Sequence, residues 1–173
     1  MNLPLKKINN EVFIATDEIV HLSNEAITFI KERALESSRG RSRICLHKED
    51  TDNLHEMLIA ISKESYIRPH RHKNKSESFH LIDGEADVVI FSEEGEIKQV
   101  INLSSSTNFF YRLDTPNYHT LLIHSPLLVI HEITNGPFDA LESDFASFSP
   151  EEESEEVKFY LSNLRKVTED FHI

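Results

Sequence analysis

"HRHKNKSESFHLIDG", residues 70–84, decides how the rest of the chain is read. His70 and His72 are two residues apart, and on a strand side chains at i and i+2 point to one face, so both imidazoles can meet one ion. Pro69 just before them favours extended backbone at Arg68. The polar run 73–76 reads as a short loop, after which Glu77 opens a second strand, "ESFHLI". That strand is expected to return beside the first and carry its carboxylate to the two imidazoles. His80, three residues after Glu77, falls on the opposite face and reads as a hydrogen-bonded structural histidine. His119, at the head of a later strand and after the turn marked by Pro116-Asn117, is a further ligand-type residue. Three imidazoles and one carboxylate suit Fe, Zn, Mn, Ni or Cu and leave one or two positions for water or substrate, as catalytic sites do. HxH alone is weak, since 10 histidines in 173 residues produce accidental pairs; the full spacing is stronger.

The surroundings predict an all-β domain flanked by helices. "SNEAITFIKERALESS" (23–38) repeats apolar residues at helical spacing, with Ser23 as cap and Gly40 as stop. "EMLIAIS" (56–62) reads as a strand buried on both faces. Asp83-Gly84 and Glu94-Gly95 punctuate apolar, β-branched runs as hairpin turns do. "YHTLLIHSPLLVIHEI" (118–133) is two strands joined at His124-Ser125-Pro126, and "TNGPF" (134–138) closes the region as a turn. Many short strands with frequent turns point to a sandwich or barrel. Residues 150–171 begin with proline and acids and then turn amphipathic, giving a C-terminal helix whose acid run is a solvated first turn. The expected division is a helical extension over 1–40, a β-barrel over 41–140 and a helical tail over 141–173.

With 39% apolar residues the chain can bury a core, and its net charge of −12 argues against nucleic acid or an anionic membrane as the main partner. The N-terminus lacks the continuous apolar core of a signal peptide, and no run is long enough to span a membrane, so a cytoplasmic protein is expected. The single cysteine, Cys45 in "ICL", forms no intrachain disulfide and reads as a small buried hydrophobe.

The stretch 70–84 matches the core of the first cupin motif, HxH(x)3–4E(x)6G, and "DTPNYH" (114–119) resembles the second, PxGxxH. Glu64 stands where the first motif opens with Gly. In the second motif Asp114 replaces Pro, Pro116 replaces Gly and Ile123 replaces the closing Asn, while every metal-ligand position is kept. Residues 42–91, "FFYRLDTPNYHTL" (109–121) and "HEITNGPF" (131–138) are similar to the WbuC family of cupin-fold metalloproteins, associated with bacterial O-antigen and other surface-polysaccharide gene clusters. The resemblance implies a cupin β-barrel, or jelly roll, and one bound divalent metal on His70, His72, Glu77 and His119, with Glu77 either ligating directly or orienting a histidine. It implies no particular reaction.

Around such a centre, Arg68 and Tyr66 share parity with His70 and His72. They are read as ligand-binding groups, Arg68 as an anion clamp, against the alternative of ordinary rim residues. Tyr111 and Arg112 precede the second motif, and one of them must point inward. Of His131 and Glu132 only one can face the barrel. His131, in parity with Leu127 and Val129, is the first choice as general acid or base, against a packed core histidine. His21, His47, His55, His124 and His172 carry no supporting pattern. The resulting expectation is a metal-dependent isomerase or epimerase acting on a sugar or sugar-nucleotide, with an anionic small molecule as ligand. A non-catalytic sugar-binding regulatory module and an Fe(II)-dependent dioxygenase are the alternatives. Pairing of two copies through an edge strand would give a homodimer.

Overall fold

The long strand over residues 54–62 is apolar on both sides because it lies inside a sheet that is covered on both faces. The computed structural model describes residues 4–139 and 143–171. Among these the elements run β1 (Leu5–Lys7), β2 (Val12–Ala15), α1 (Asn24–Glu36), β3 (Arg41–Cys45), β4 (Leu54–Ser62), β5 (His70–His72), β6 (Glu77–Asp83), β7 (Ala86–Phe91), β8 (Ile97–Leu103), β9 (Phe110–Leu113), β10 (Tyr118–Ile123), β11 (Leu127–Asn135), β12 (Ser143–Phe145) and α2 (Val157–Glu169). The strands form a seven-stranded sheet in the order β1-β2-β3-β4-β11-β6-β9 and a five-stranded sheet in the order β12-β5-β10-β7-β8. Every pairing is antiparallel except that of β2 with β3.

Three apolar layers result. The sheets face each other across Ile61, Phe79, Val88, Leu121, Leu128 and Ile130. The outer face of the larger sheet, through Ile44, Leu58, Ala60 and Val129, is covered by Ala26, Ile30 and Ala34 of α1. The outer face of the smaller sheet, through Val89, Tyr118 and Leu122, is covered by Leu164 with Tyr160 and Leu161 of the C-terminal segment. Covered on both faces, β7 and β10 are buried along their whole length. This is a jelly roll with an N-terminal and a C-terminal helix, as expected. No helix among the described residues is long and apolar enough to cross a membrane.

Ser23 caps α1 by accepting from the Glu25 amide at 3.3 Å. Residues before α1 do more than precede a helix, since β1 and β2 extend the larger sheet. The acid run over 151–156 lies in turns ahead of α2 rather than in its first turn, and Glu152 pairs with Arg39 at 2.9 Å and Arg41 at 2.7 Å. Glu94-Gly95 makes the expected hairpin between β7 and β8. Asp83-Gly84 does not: β6 pairs with β11 and β9, and β7 with β10 and β8, so this turn carries the chain from one sheet to the other.

Gly84 has φ +94°, and a Cβ there would come within 2.4 Å of the Leu127 carbonyl oxygen and 2.6 Å of the Ser125 hydroxyl. The glycine of the first motif therefore serves the crossing between sheets. Gly84→Ala is expected to cost about 1–3 kcal/mol of stability, read as a lower denaturant midpoint; an unchanged midpoint would contradict this account of the turn.

Candidate metal centre

Strand β5 is short and held on both sides. His70 sits directly opposite His119 of β10, and Phe145 and Ser143 of β12 stand opposite His70 and His72. Directly opposed residues bring their side chains together, and the His70 and His119 rings lie 4.7 Å apart, with His72 5.0 Å from His70. Glu77 arrives differently from the sequence expectation. Its strand, β6, lies in the other sheet, so the carboxylate approaches across the barrel rather than beside β5. The start of β6 is pinned by Ser76, whose amide and hydroxyl both donate to the Asn135 side-chain oxygen at 2.9 Å, and whose carbonyl accepts from Thr134. The "TNGPF" turn thus anchors the ligand-bearing strand.

One potential ligand atom from each of His70, His72, Glu77 and His119 lies within 4.8 Å of the others. The Nδ1–H groups of His70 and His119 donate to the carbonyls of Arg68 at 2.9 Å and Asn117 at 3.0 Å, and His72 Nδ1 lies 3.4 Å from the Ser143 hydroxyl. Carbonyls only accept, so His70 and His119 keep the proton on Nδ1 and aim the Nε2 lone pair inward, the orientation ligating histidines need. Glu77 and His119 are 4% and 2% exposed. Their facing atoms, Glu77 Oε1 and His119 Nε2, are 3.1 Å apart, yet among the described residues neither has a hydrogen-bond partner. Unpartnered buried polar atoms are costly, and an ion among these four groups would partner them. The donor set fits a divalent transition metal.

Electrostatics favour the neutral form of His70. Burial, helped by the neighbouring His119, lowers the His70 pKa to about 4, leaving it a neutral ligand at pH 7. Burial opposes charge on both Glu77 and His119, but each sustains the other: Glu77 titrates below, and His119 above, its ordinary value.

The centre opens on a cavity of about 770 Å³, lined by the inner face of the larger sheet. Pairing registers place its side chains in rows: His55, Thr134 and Glu77; then Cys45, Met57, Glu132 and Phe79; then Arg43, Ile59 and Ile130. Glu132, not His131, faces the cavity. His131 shares the face of Val129, which packs towards α1, and lies opposite His80 with its Nε2 3.7 Å from Glu56. The cavity-facing position expected for His131 is therefore held by its neighbour. Glu132 is half-buried, and among the described residues its carboxylate has no hydrogen bond or ion pair. Burial first, and then the charge of Glu77, push its pKa up to about 8.

Other expected site residues are placed as follows. Tyr111 points inward, packed on Phe79 with ring centroids 5.5 Å apart, its buried hydroxyl unpartnered among the described residues. Burial and the Glu77 charge raise its pKa. Arg112 points out of the barrel, towards the hydroxyls of Ser76 at 3.2 Å and Ser78 at 3.4 Å. Tyr66 and Arg68 do not line the cavity. The Tyr66 hydroxyl donates to the Pro150 carbonyl at 3.0 Å, and Arg68 lies over the Phe145 ring, 5.2 Å from its centroid. Both precede β5, so alternation within that strand does not extend to them. His80 lies on the outer face, His21 is exposed, and His124 binds buried Asp87 at 2.7 Å. His47 and His55 stack at 4.0 Å on the cavity wall, and His172 lies outside the described residues. Cys45 is buried, and burial raises its thiol pKa.

A family model described as "domain of unknown function (DUF6016)" matches residues 22–103. No curated protein matches the chain. Among solved structures, protein SO0799 from Shewanella oneidensis is similar over 88% of this chain and 97% of its own, at 11% identity and a TM-score of 0.55. CapF, solved with the inhibitor 3-isopropenyl-tropolone, is similar over 61% of this chain at 15% identity and a TM-score of 0.50, and this chain spans 30% of CapF. The cupin domain of Schizosaccharomyces pombe Cnp3 is similar at 13% identity over 59% of this chain and 67% of its own, with a TM-score of 0.44. The fold is a jelly roll. These likenesses concern the fold alone.

The raised pKa of Glu132 has a measurable consequence. In chelator-treated protein the folded state keeps this proton up to about pH 8, whereas the unfolded chain loses it near 4.5. The folded state binds the extra proton, so this group makes stability fall as pH rises through that window. Glu132→Gln should flatten the fall in unfolding midpoint between about pH 5 and about pH 8; an unchanged slope would show that Glu132 is solvated.

Proposed function

We propose that the chain is a metal-dependent enzyme acting on a sugar or sugar-nucleotide, with isomerase-type chemistry. The observation that carries this reading is one cavity joining the four-ligand centre to Glu132, a carboxyl group without a partner among the described residues. A structural metal site has no need of such a cavity. The volume of about 770 Å³ suits a small molecule. The sugar class follows from the resemblance to the WbuC family and its surface-polysaccharide setting.

His70, His72, Glu77 and His119 would hold the ion. A divalent ion bound there supplies polarisation of a carbonyl or hydroxyl oxygen of the ligand. The rest is the work of this chain. The carbonyls of Arg68 and Asn117 fix the imidazoles, and the Ile59, Ile61 and Ile130 side chains give the cavity a dry wall. Glu132, one row along the sheet from Glu77, would in its ionised form take a proton from the hydroxyl-bearing carbon next to the carbonyl and return it to the carbonyl carbon. The hydroxyl proton passes to the former carbonyl oxygen, so the carbonyl moves by one carbon with no net oxidation.

The test is solvent exchange. Metal-reconstituted protein is incubated in D2O with hexose phosphates and nucleotide sugars, and carbon-bound deuterium is followed by NMR. Incorporation into one of them, lowered about 100-fold or more in Glu132→Gln, supports the proposal. No incorporation or turnover with any of them, together with measurable sugar binding, would leave the chain a binding module.

A further inference from the structure

Arg43 lines the cavity and, among the described residues, forms no ion pair with a carboxylate. The other basic side chains around the cavity are engaged. Arg39 pairs with Glu11 at 3.2 Å and Glu152 at 2.9 Å, and Arg41 pairs with Glu152 at 2.7 Å. Lys48 donates to the backbone carbonyls of Ala15 and Asp17, and Lys75 donates to that of Pro137 at 2.7 Å. Arg43 forms no ion pair with a carboxylate within salt-bridge distance among the described residues. Its positive charge is felt by Cys45, His47 and Glu132.

The topology explains why Arg43 reaches the site at all. The larger sheet runs beyond the barrel through β3, β2 and β1, so its inner face continues past β4 as a floor. Arg43 stands on that floor, in register with Ile59 of β4 and Ile130 of β11. Ser42 and Ile44, on the other face of β3, are buried on the α1 side. Two strand spacings, about 10 Å, separate the backbone of Arg43 from that of β11, which carries Glu132. A single-atom ligand at the metal centre would leave this cation unused, whereas a monosaccharide-sized molecule spans the interval. Arg43 is exposed at the cavity's edge, where a guanidinium without a carboxylate partner can draw an anion, and its planar fork matches a carboxylate or phosphate.

We propose that Arg43 is the specificity-determining residue of the cavity, binding the carboxylate or phosphate of a sugar acid or phosphorylated sugar whose oxygens reach the four-ligand centre. This rests on the metal-enzyme reading above and names its substrate class. It moves the anion clamp that sequence parity assigned to Arg68 to a residue on the opposite sheet. It also reconciles a strongly acidic chain with an anionic ligand, because the positive charge is local.

Gluconate and uncharged sorbitol are suitable test ligands, differing in the carboxylate that Arg43 would recognise. Each is titrated calorimetrically into metal-loaded wild type, Arg43→Gln and Arg43→Lys, with the metal content of every sample measured by mass spectrometry. Gluconate is expected to bind wild type at least about tenfold more tightly than sorbitol, and Arg43→Gln to lose about that factor while keeping its metal. Arg43→Lys should retain part of the preference, since it keeps the charge and loses the fork. Equal gluconate affinity in wild type and metal-replete Arg43→Gln would overturn the inference and leave the metal centre standing, as would equal binding of gluconate and sorbitol by wild type. Wild type that takes up no metal would overturn the metal-enzyme reading, and this inference with it.

Discussion

A carboxylate buried inside an apolar barrel, facing three imidazoles, is the constraint on which the rest of the molecule depends. Taking Glu77 out of water costs several kcal/mol unless partners replace the lost solvation. The protein answers with geometry that needs both sheets. β5 and β10 bring the imidazoles, β6 brings the carboxylate from the opposite wall, and backbone carbonyls hold two of the rings with their lone pairs inward. Among the described residues two atoms at the centre still lack hydrogen-bond partners, and a metal ion held there would satisfy both at once.

The remaining architecture follows from keeping the two walls in place. α1 and the C-terminal segment cover the outer faces of the two sheets, so each sheet is a middle layer rather than a surface. Packed on both sides, strands have little freedom to slip, and a slip of one residue would turn the ligands out of the barrel. Gly84 lets the chain pass from the carboxylate-bearing sheet to the other in a tight turn, and Asn135 clamps the opposite end of the same strand. The motif's glycine and the Asn-Gly-Pro turn therefore bear on the metal centre without touching it.

What the sequence showed, and what it hid, has a physical explanation. The ligands were legible because strand periodicity and the motif spacing agree at His70, His72, Glu77 and His119. The route of Glu77 was hidden, because Asp83-Gly84 has the composition of a hairpin turn but serves as a crossing between sheets. Parity failed at Arg68 and Tyr66, which precede a strand of three residues, and Pro69 breaks the alternation that would have carried them inward. It failed differently at His131: Leu127 and Val129 are apolar because α1 covers that face, so β11 has no polar side to mark the outside. Arg43 was invisible as a site residue, since nothing local shows that β3 prolongs the barrel's inner wall.

The account stands on the metal centre, and metal content tests it most directly. Protein purified without a histidine-rich tag, reconstituted and desalted, is analysed by mass spectrometry beside the His70→Ala/His72→Ala double variant. The account predicts close to one transition-metal ion per wild-type chain and almost none in the variant. Wild type that holds no metal after reconstitution, or a variant that holds as much as wild type, would contradict it.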